Sequence, residues 1–184
     1  MKRLDRVLQR WRARKAAEFI EPRAAVLDIG CADGALFRCL NDFGESVGVD
    51  PDLDVPATAI PRLTVYKGLF PAALPRPMKF DVITMLAVLE HVPAESLHKL
   101  ALDCAAHLKP GGRLIVTVPA AAVDYLLTAL KWLRLIDGMS LEQHHGFEAR
   151  STPKIFEPGG FDLIVDKRFQ LGFNNLFVFR LSGG

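Results

Sequence analysis

One nine-residue stretch, Val26-Leu27-Asp28-Ile29-Gly30-Cys31-Ala32-Asp33-Gly34, constrains this chain more than any other. An apolar run over residues 24–29 reads as a buried strand. It ends in Asp-x-Gly, and residues 33–40 then carry a helical pattern. Glycine at position 30 allows a sharp turn and lets a ligand approach the backbone closely. Gly34 allows tight packing at the start of the following helix. A strand, a glycine turn and a helix in that order form the first unit of an α/β fold.

The rest of the chain repeats the alternation. Residues 46–49, 63–66, 80–86 and 114–118 read as further strands, and 161–169 and 176–181 as the last two. Residues 3–20 have Leu4, Leu8 and Trp11 at helical spacing, and Pro22 stops that helix. Residues 93–108 form the clearest helix: Pro93 sits in a favoured first-turn position, and Lys109-Pro110-Gly111-Gly112 reads as the turn that ends it. Prolines crowd residues 51–77, so any helix between the second and third strands is short. Residues 170–175 are too few for a parallel crossover, which needs a dozen or more, so the final pair should be an antiparallel hairpin. The expectation is one α/β domain over residues 1–184. It has a Rossmann-like, seven-stranded, mostly parallel sheet, helices on both faces and a C-terminal antiparallel hairpin.

The loop also limits the ligand. Asp50 ends the second strand twenty residues after Gly30, where an acid in a doubly wound fold hydrogen-bonds a ribose diol. A dinucleotide site needs G-x-G-x-x-G and holds a pyrophosphate on a helix N-terminus. The spacing here is Gly30-x-x-x-Gly34, with Asp28 and Asp33 in the loop. Those acids oppose a pyrophosphate and suit a cation, so S-adenosylmethionine is favoured over a nicotinamide cofactor.

The chain resembles the class I S-adenosylmethionine-dependent methyltransferases, most closely the branch that acts on quinone precursors and other small molecules. The resemblance lies in residues 26–34, 47–50, 80–92 (FDVITMLAVLEHV) and 108–118 (LKPGGRLIVTV). It implies a cofactor site made of Asp28, Gly30, Cys31, Ala32, Gly34, Asp50, Pro51, Leu69, Phe70, Leu86 and Ala87. Gly30 and its neighbours would contact the methionine part, Asp50 the ribose, and residues 86–88 the methyl-transfer site. The product would be S-adenosylhomocysteine. Three departures stand out: Ala32 replaces a usual glycine, Leu69-Phe70 stand where a polar adenine contact is common, and the helix around 152–157 is shorter than usual before Gly160-Phe161. A module that binds the cofactor without chemistry, and a nicotinamide-dependent oxidoreductase, are the alternatives.

His91 follows the fourth strand and has two readings, a general base at the lip of the pocket or a locally bonded residue at a helix start. His145, in the His144-His145 pair, is either a substrate-positioning base or an exposed loop residue. No carboxylate or cysteine cluster accompanies the pair, so no metal site is expected. Residues 123–136 are strongly apolar, which fits core packing, a lid over an apolar acceptor, or a homodimer contact. Residues 120–150 are the expected substrate-covering insert, and the acceptor is expected to be a small molecule.

Composition excludes other classes. Half the residues are hydrophobic and the mean hydropathy is +0.19, enough to bury a core. The three cysteines, Cys31, Cys39 and Cys104, form no C-x-x-C pair, which argues against zinc and a disulfide framework. Residues 1–20 hold seven basic and two acidic side chains; with a net charge of +2 for the whole, the remainder carries −3. The body is therefore not a nucleic-acid surface. A charged start with no apolar run behind it, and no stretch long enough to span a bilayer, predict a cytoplasmic protein.

Overall fold

The computed structural model describes residues 3–53, 60–120 and 148–183. In chain order the elements are α1 (Arg3–Ala17), β1 (Val26–Ile29), β2 (Ser46–Asp50), β3 (Leu63–Lys67), β4 (Phe80–Leu86), α2 (Ala94–His107), β5 (Leu108–Pro119), α3 (Thr152–Phe156), β6 (Phe161–Phe169) and β7 (Asn174–Leu181). The seven strands form one sheet in the order β3-β2-β1-β4-β5-β7-β6. β1 to β5 pair in parallel, while β7 runs antiparallel to both β5 and β6. The seven-stranded, mostly parallel sheet and its antiparallel end agree with the sequence expectation.

Alternation along the strands builds two cores. Leu27, Ile29, Ile83, Met85, Leu114, Val116, Phe177 and Phe179 pack on one face with Ala101 and Cys104 of α2 and Phe156 of α3. Val26, Val82, Ile115, Leu176 and Val178 pack on the other with Ala13 and Ala16 of α1 and with Leu36 and Phe37. β1 is buried along its whole length, as strands covered on both faces are.

Two local expectations are corrected. The helix expected over residues 33–40 is a series of turns ending in one 3-10 turn, Phe37–Cys39. Ala32 and Gly34 take φ of +45° and +76°, left-handed values that no α-helix accommodates. The turn expected at 109–112 lies inside β5: Leu108 pairs with Phe80 and Arg113 with Val82, so the residues between are looped out of the ladder. The apolar run 123–136, His144, His145 and most of the expected insert at 120–150 lie outside the described residues, as does half of the β2–β3 connection, 54–59.

Candidate functional site

The sheet order reverses direction between β1 and β4. The crevice beyond their carboxyl ends is where ligands bind in doubly wound sheets. The loop after β1 is tied to β2 through Gly30 N–H, which donates to the Val49 carbonyl at 2.8 Å. Gly30 has φ +77°, and a Cβ there would sit 2.3 Å from Val88 Cγ2. The chain after β4 therefore presses against a backbone with no side chain.

Asp50 fastens this loop. Its Oδ2 accepts from Ala32 N–H at 2.8 Å and its Oδ1 from Asp52 N–H at 2.9 Å. An ionised carboxylate has about four acceptor positions, so capacity remains for a ligand. Asp28 lies on the α1 face of the sheet, 3% exposed, with Thr84 Oγ1–H donating to its Oδ1 at 2.6 Å. Burial raises its pKa to about 7; the Thr84 bond opposes that rise and Asp50 adds to it. Asp33 behaves differently. It is exposed and engaged by Arg38 at 3.1 Å and Gln9 at 3.2 Å. The negative charge available to a cationic ligand is thus that of Asp28 and Asp50, not of Asp33.

Two cavities flank the loop. The larger, about 500 Å³, is walled mostly by apolar groups: Val49 of β2 and Pro51 just beyond it, Leu69 and Phe70 after β3, Val88 after β4, and Leu100 of α2. Its size is ordinary for a small-molecule site. The smaller, about 30 Å³, is polar at one end, where Gln9 and Arg12 of α1 meet Asp28 and Leu86. Gly30 lines both. A third cavity, lined by Glu21, Arg23, Asp81, Lys109 and Arg113, opens at the amino ends of β1, β4 and β5, away from this loop. All three of its cations are paired, Lys109 with Asp81 at 2.8 Å, Arg113 with Glu21 at 3.1 Å and Arg23 with Asp42 at 3.5 Å. Among the described residues no cluster of His, Cys, Asp and Glu could hold a metal ion.

The other expected residues distribute as follows. Leu69, 70% exposed, lies at the mouth of the larger cavity. Phe70 is half-buried and meets the His107 ring edge-on at 5.1 Å. His91 lines the same cavity as Leu69 and Phe70, whereas Leu86 lines the smaller one. Cys31 is buried, with Sγ against Gly48, and burial pushes its thiol up to about 12, so it stays protonated. Ala32, Gly34 and Ala87 line neither of the two cavities. Gly34 packs near Ile60 and Leu63, and Ala87 N–H donates to the Thr117 carbonyl at 2.9 Å. Gln9 and Arg12 are additions that the sequence reading missed. Both fall on the helix flank beside the buried Ala13 and Ala16, a face that the spacing of Leu4, Leu8 and Trp11 does not single out.

A family model described as a methyltransferase domain matches residues 2–165. The ubiquinone biosynthesis O-methyltransferase of Thiobacillus denitrificans is 34% identical over 117 residues, covering 57% of this chain and 49% of that protein. The enzyme of the same name from Methylococcus capsulatus is 29% identical over 150 residues, covering 74% and 62%. The chain thus spans about half to three-fifths of the length of these curated relatives. The magnesium protoporphyrin IX methyltransferase of Synechocystis PCC 6803, solved with bound S-adenosylhomocysteine, superposes with a TM-score of 0.67 at 17% identity, covering 96% of this chain and 84% of that one. Sheet order, loop and family match agree: the chain belongs to the methyltransferase-domain family, among the class I S-adenosylmethionine-dependent methyltransferases.

Proposed function

We propose that this domain moves a methyl group from S-adenosylmethionine to a small, apolar acceptor. One observation carries the reading: a large, mostly apolar cavity and a small one with a polar end both border Gly30. That shape fits a ligand with a flat, neutral part at one end and a charged amino-acid part at the other. Val88 packs where a Cβ at Gly30 would stand, so glycine at this position keeps the loop backbone against the chain after β4. When bound, the cofactor supplies an electrophilic methyl group on a positively charged sulfur.

The chain's own groups divide the remaining work. Asp50 accepts hydrogen bonds from a ribose diol while holding the loop through Ala32. Pro51, Leu69, Phe70 and Val88 give the adenine an apolar surface and exclude water from it. Arg12 offers a guanidinium for a carboxylate, and Asp28 a negative charge for an ammonium or sulfonium. Leu86, on the Asp28 side of Gly30, borders the space where the acceptor's nucleophilic atom is held. Methyl transfer gains most from such alignment, so a dedicated base is dispensable. His91 shares its cavity with the adenosine wall, and we assign it to positioning that part of the cofactor. His91→Ala is expected to raise the KM for the donor about threefold, the loss of roughly one neutral hydrogen bond. A fall in kcat at unchanged KM would return His91 to the role of base.

Asp28 makes binding pH-dependent. Its anion is the form that attracts a cation, and its pKa lies at about 7. Affinity for S-adenosylhomocysteine, which keeps the ammonium, should therefore fall as pH drops below about 7, by up to about tenfold per unit. Thr84→Val removes the bond that lowers the pKa, so the midpoint should move upward; calorimetry at several pH values reads it. The folded pKa is raised, so the cofactor-free protein should lose stability as pH climbs from about 4 through about 7. A pH-independent dissociation constant would remove Asp28 from the site.

Calorimetry with S-adenosylhomocysteine and with NADH tests the cofactor, and turnover of labelled donor tests the chemistry. Binding without turnover on any acceptor would leave the non-catalytic module. A homodimer, the other expectation attached to the apolar run 123–136, is decided by sedimentation velocity.

A further inference from the structure

The outward face of α1 takes no part in the site just described. Arg6, Arg10 and Arg14 recur every fourth residue and all are exposed. Beside them run Val7, 57% exposed, and Trp11, 42% exposed. The opposite face is the buried one, with Ala13 and Ala16 against the sheet. A second exposed apolar group belongs to the same end of the molecule. The turn between β6 and β7 leaves Leu171 91% exposed. That turn is fastened to α1, because Gln170 Nε2 donates to the Leu8 carbonyl at 3.0 Å. Asn174 Nδ2 in turn donates to Gln170 Oε1.

We infer that this face, Val7, Trp11 and Leu171 flanked by Arg6, Arg10 and Arg14, docks on an anionic lipid bilayer surface. The charge is complementary: the first twenty residues carry seven of the chain's basic residues and two acidic ones, while the remainder is net negative. An interfacial helix has this make-up, with arginines on the phosphates and a tryptophan and aliphatic groups at the acyl boundary. A soluble polyanion would satisfy the arginines and leave Val7 and Leu171 in water. Nucleic acid would need aromatic platforms for stacking, and Trp11 is the one such ring on the exposed face of α1. Docking this way uses the outer face of α1 and the β6–β7 turn, none of whose named residues lines the cavities beside Gly30, so it is independent of what the catalytic site does.

Flotation with vesicles of equal parts phosphatidylglycerol and phosphatidylcholine, against phosphatidylcholine alone, tests the inference. The protein should float with the anionic vesicles only, and less well at high salt. Each basic residue near such a surface contributes about fivefold to partition, so the triple variant Arg6→Gln, Arg10→Gln, Arg14→Gln should partition about 100-fold more weakly. The variant pair Trp11→Ala, Leu171→Ser should also weaken flotation with all charges kept. Both variants should bind S-adenosylhomocysteine like the unmodified protein, which shows the fold intact and separates this result from the methyl-transfer reading. No flotation, equal flotation on both vesicles, or no effect of the apolar pair would overturn the inference. So would binding of a single-stranded RNA oligomer in the absence of vesicle binding.

Discussion

Valine at position 30 is expected to abolish cofactor binding altogether. Gly30 has φ +77°, and a Cβ would stand 2.3 Å from Val88 Cγ2. The left-handed backbone costs an L-residue about 1–2 kcal/mol. Overpacking against Val88 adds about 1–3 kcal/mol. Stability by urea titration should fall by that combined amount, and calorimetry with S-adenosylhomocysteine should show no heat of binding. Misfolding alone could mimic the second result, so the double variant Gly30→Val, Val88→Ala is informative. It removes the collision and should recover part of the stability without recovering binding, because the new side chain stands on the residue that borders both cavities. Restored binding in the double variant would mean that no ligand crosses Gly30.

Asp50→Ala is expected to weaken S-adenosylhomocysteine binding by about 10- to 100-fold, as hydrogen bonds to a charged acceptor are worth about 1.5–3 kcal/mol. The same carboxylate holds Ala32 and Asp52 N–H, so part of the loss would come from a loosened loop. Asp50→Asn separates the two contributions: the amide keeps one acceptor oxygen for the loop but loses the charge. Asp50 also raises the pKa of Asp28. Its removal should therefore shift the pH midpoint of binding downward while lowering affinity. An unchanged dissociation constant would show that the ribose is held elsewhere.

Much of this was legible in the chain because it depends on local pattern. Alternating buried strands and amphipathic helices gave the sheet, and the six-residue link at 170–175 gave the antiparallel end. The pattern over 33–40 reads as a helix because Leu36 and Leu40, and Ala35 and Cys39, recur four residues apart. Ala32 is held by Asp50 at the end of β2 and Gly34 packs near Ile60 and Leu63, contacts that no local window contains. Asp28 and Asp33 looked equivalent in sequence. Only the fold buries one and turns the other toward Arg38 and water. Likewise, Gln9 and Arg12 belong to a helix twenty residues before the loop they face, so nothing local in the loop points to them.

The position of β7 bears on how the domain is made. It is the last strand in chain order, yet it lies inside the sheet, between β5 and β6. The bond from Gln170 to Leu8 joins positions 162 apart. During synthesis, β5 therefore emerges long before the strand that covers its free edge. Until β7 arrives, that edge offers unpaired backbone groups and apolar side chains to any neighbouring chain. Long-range closure of this kind is slow. A nascent chain released before residue 174 should thus be a target for chaperones or aggregation rather than a smaller stable domain.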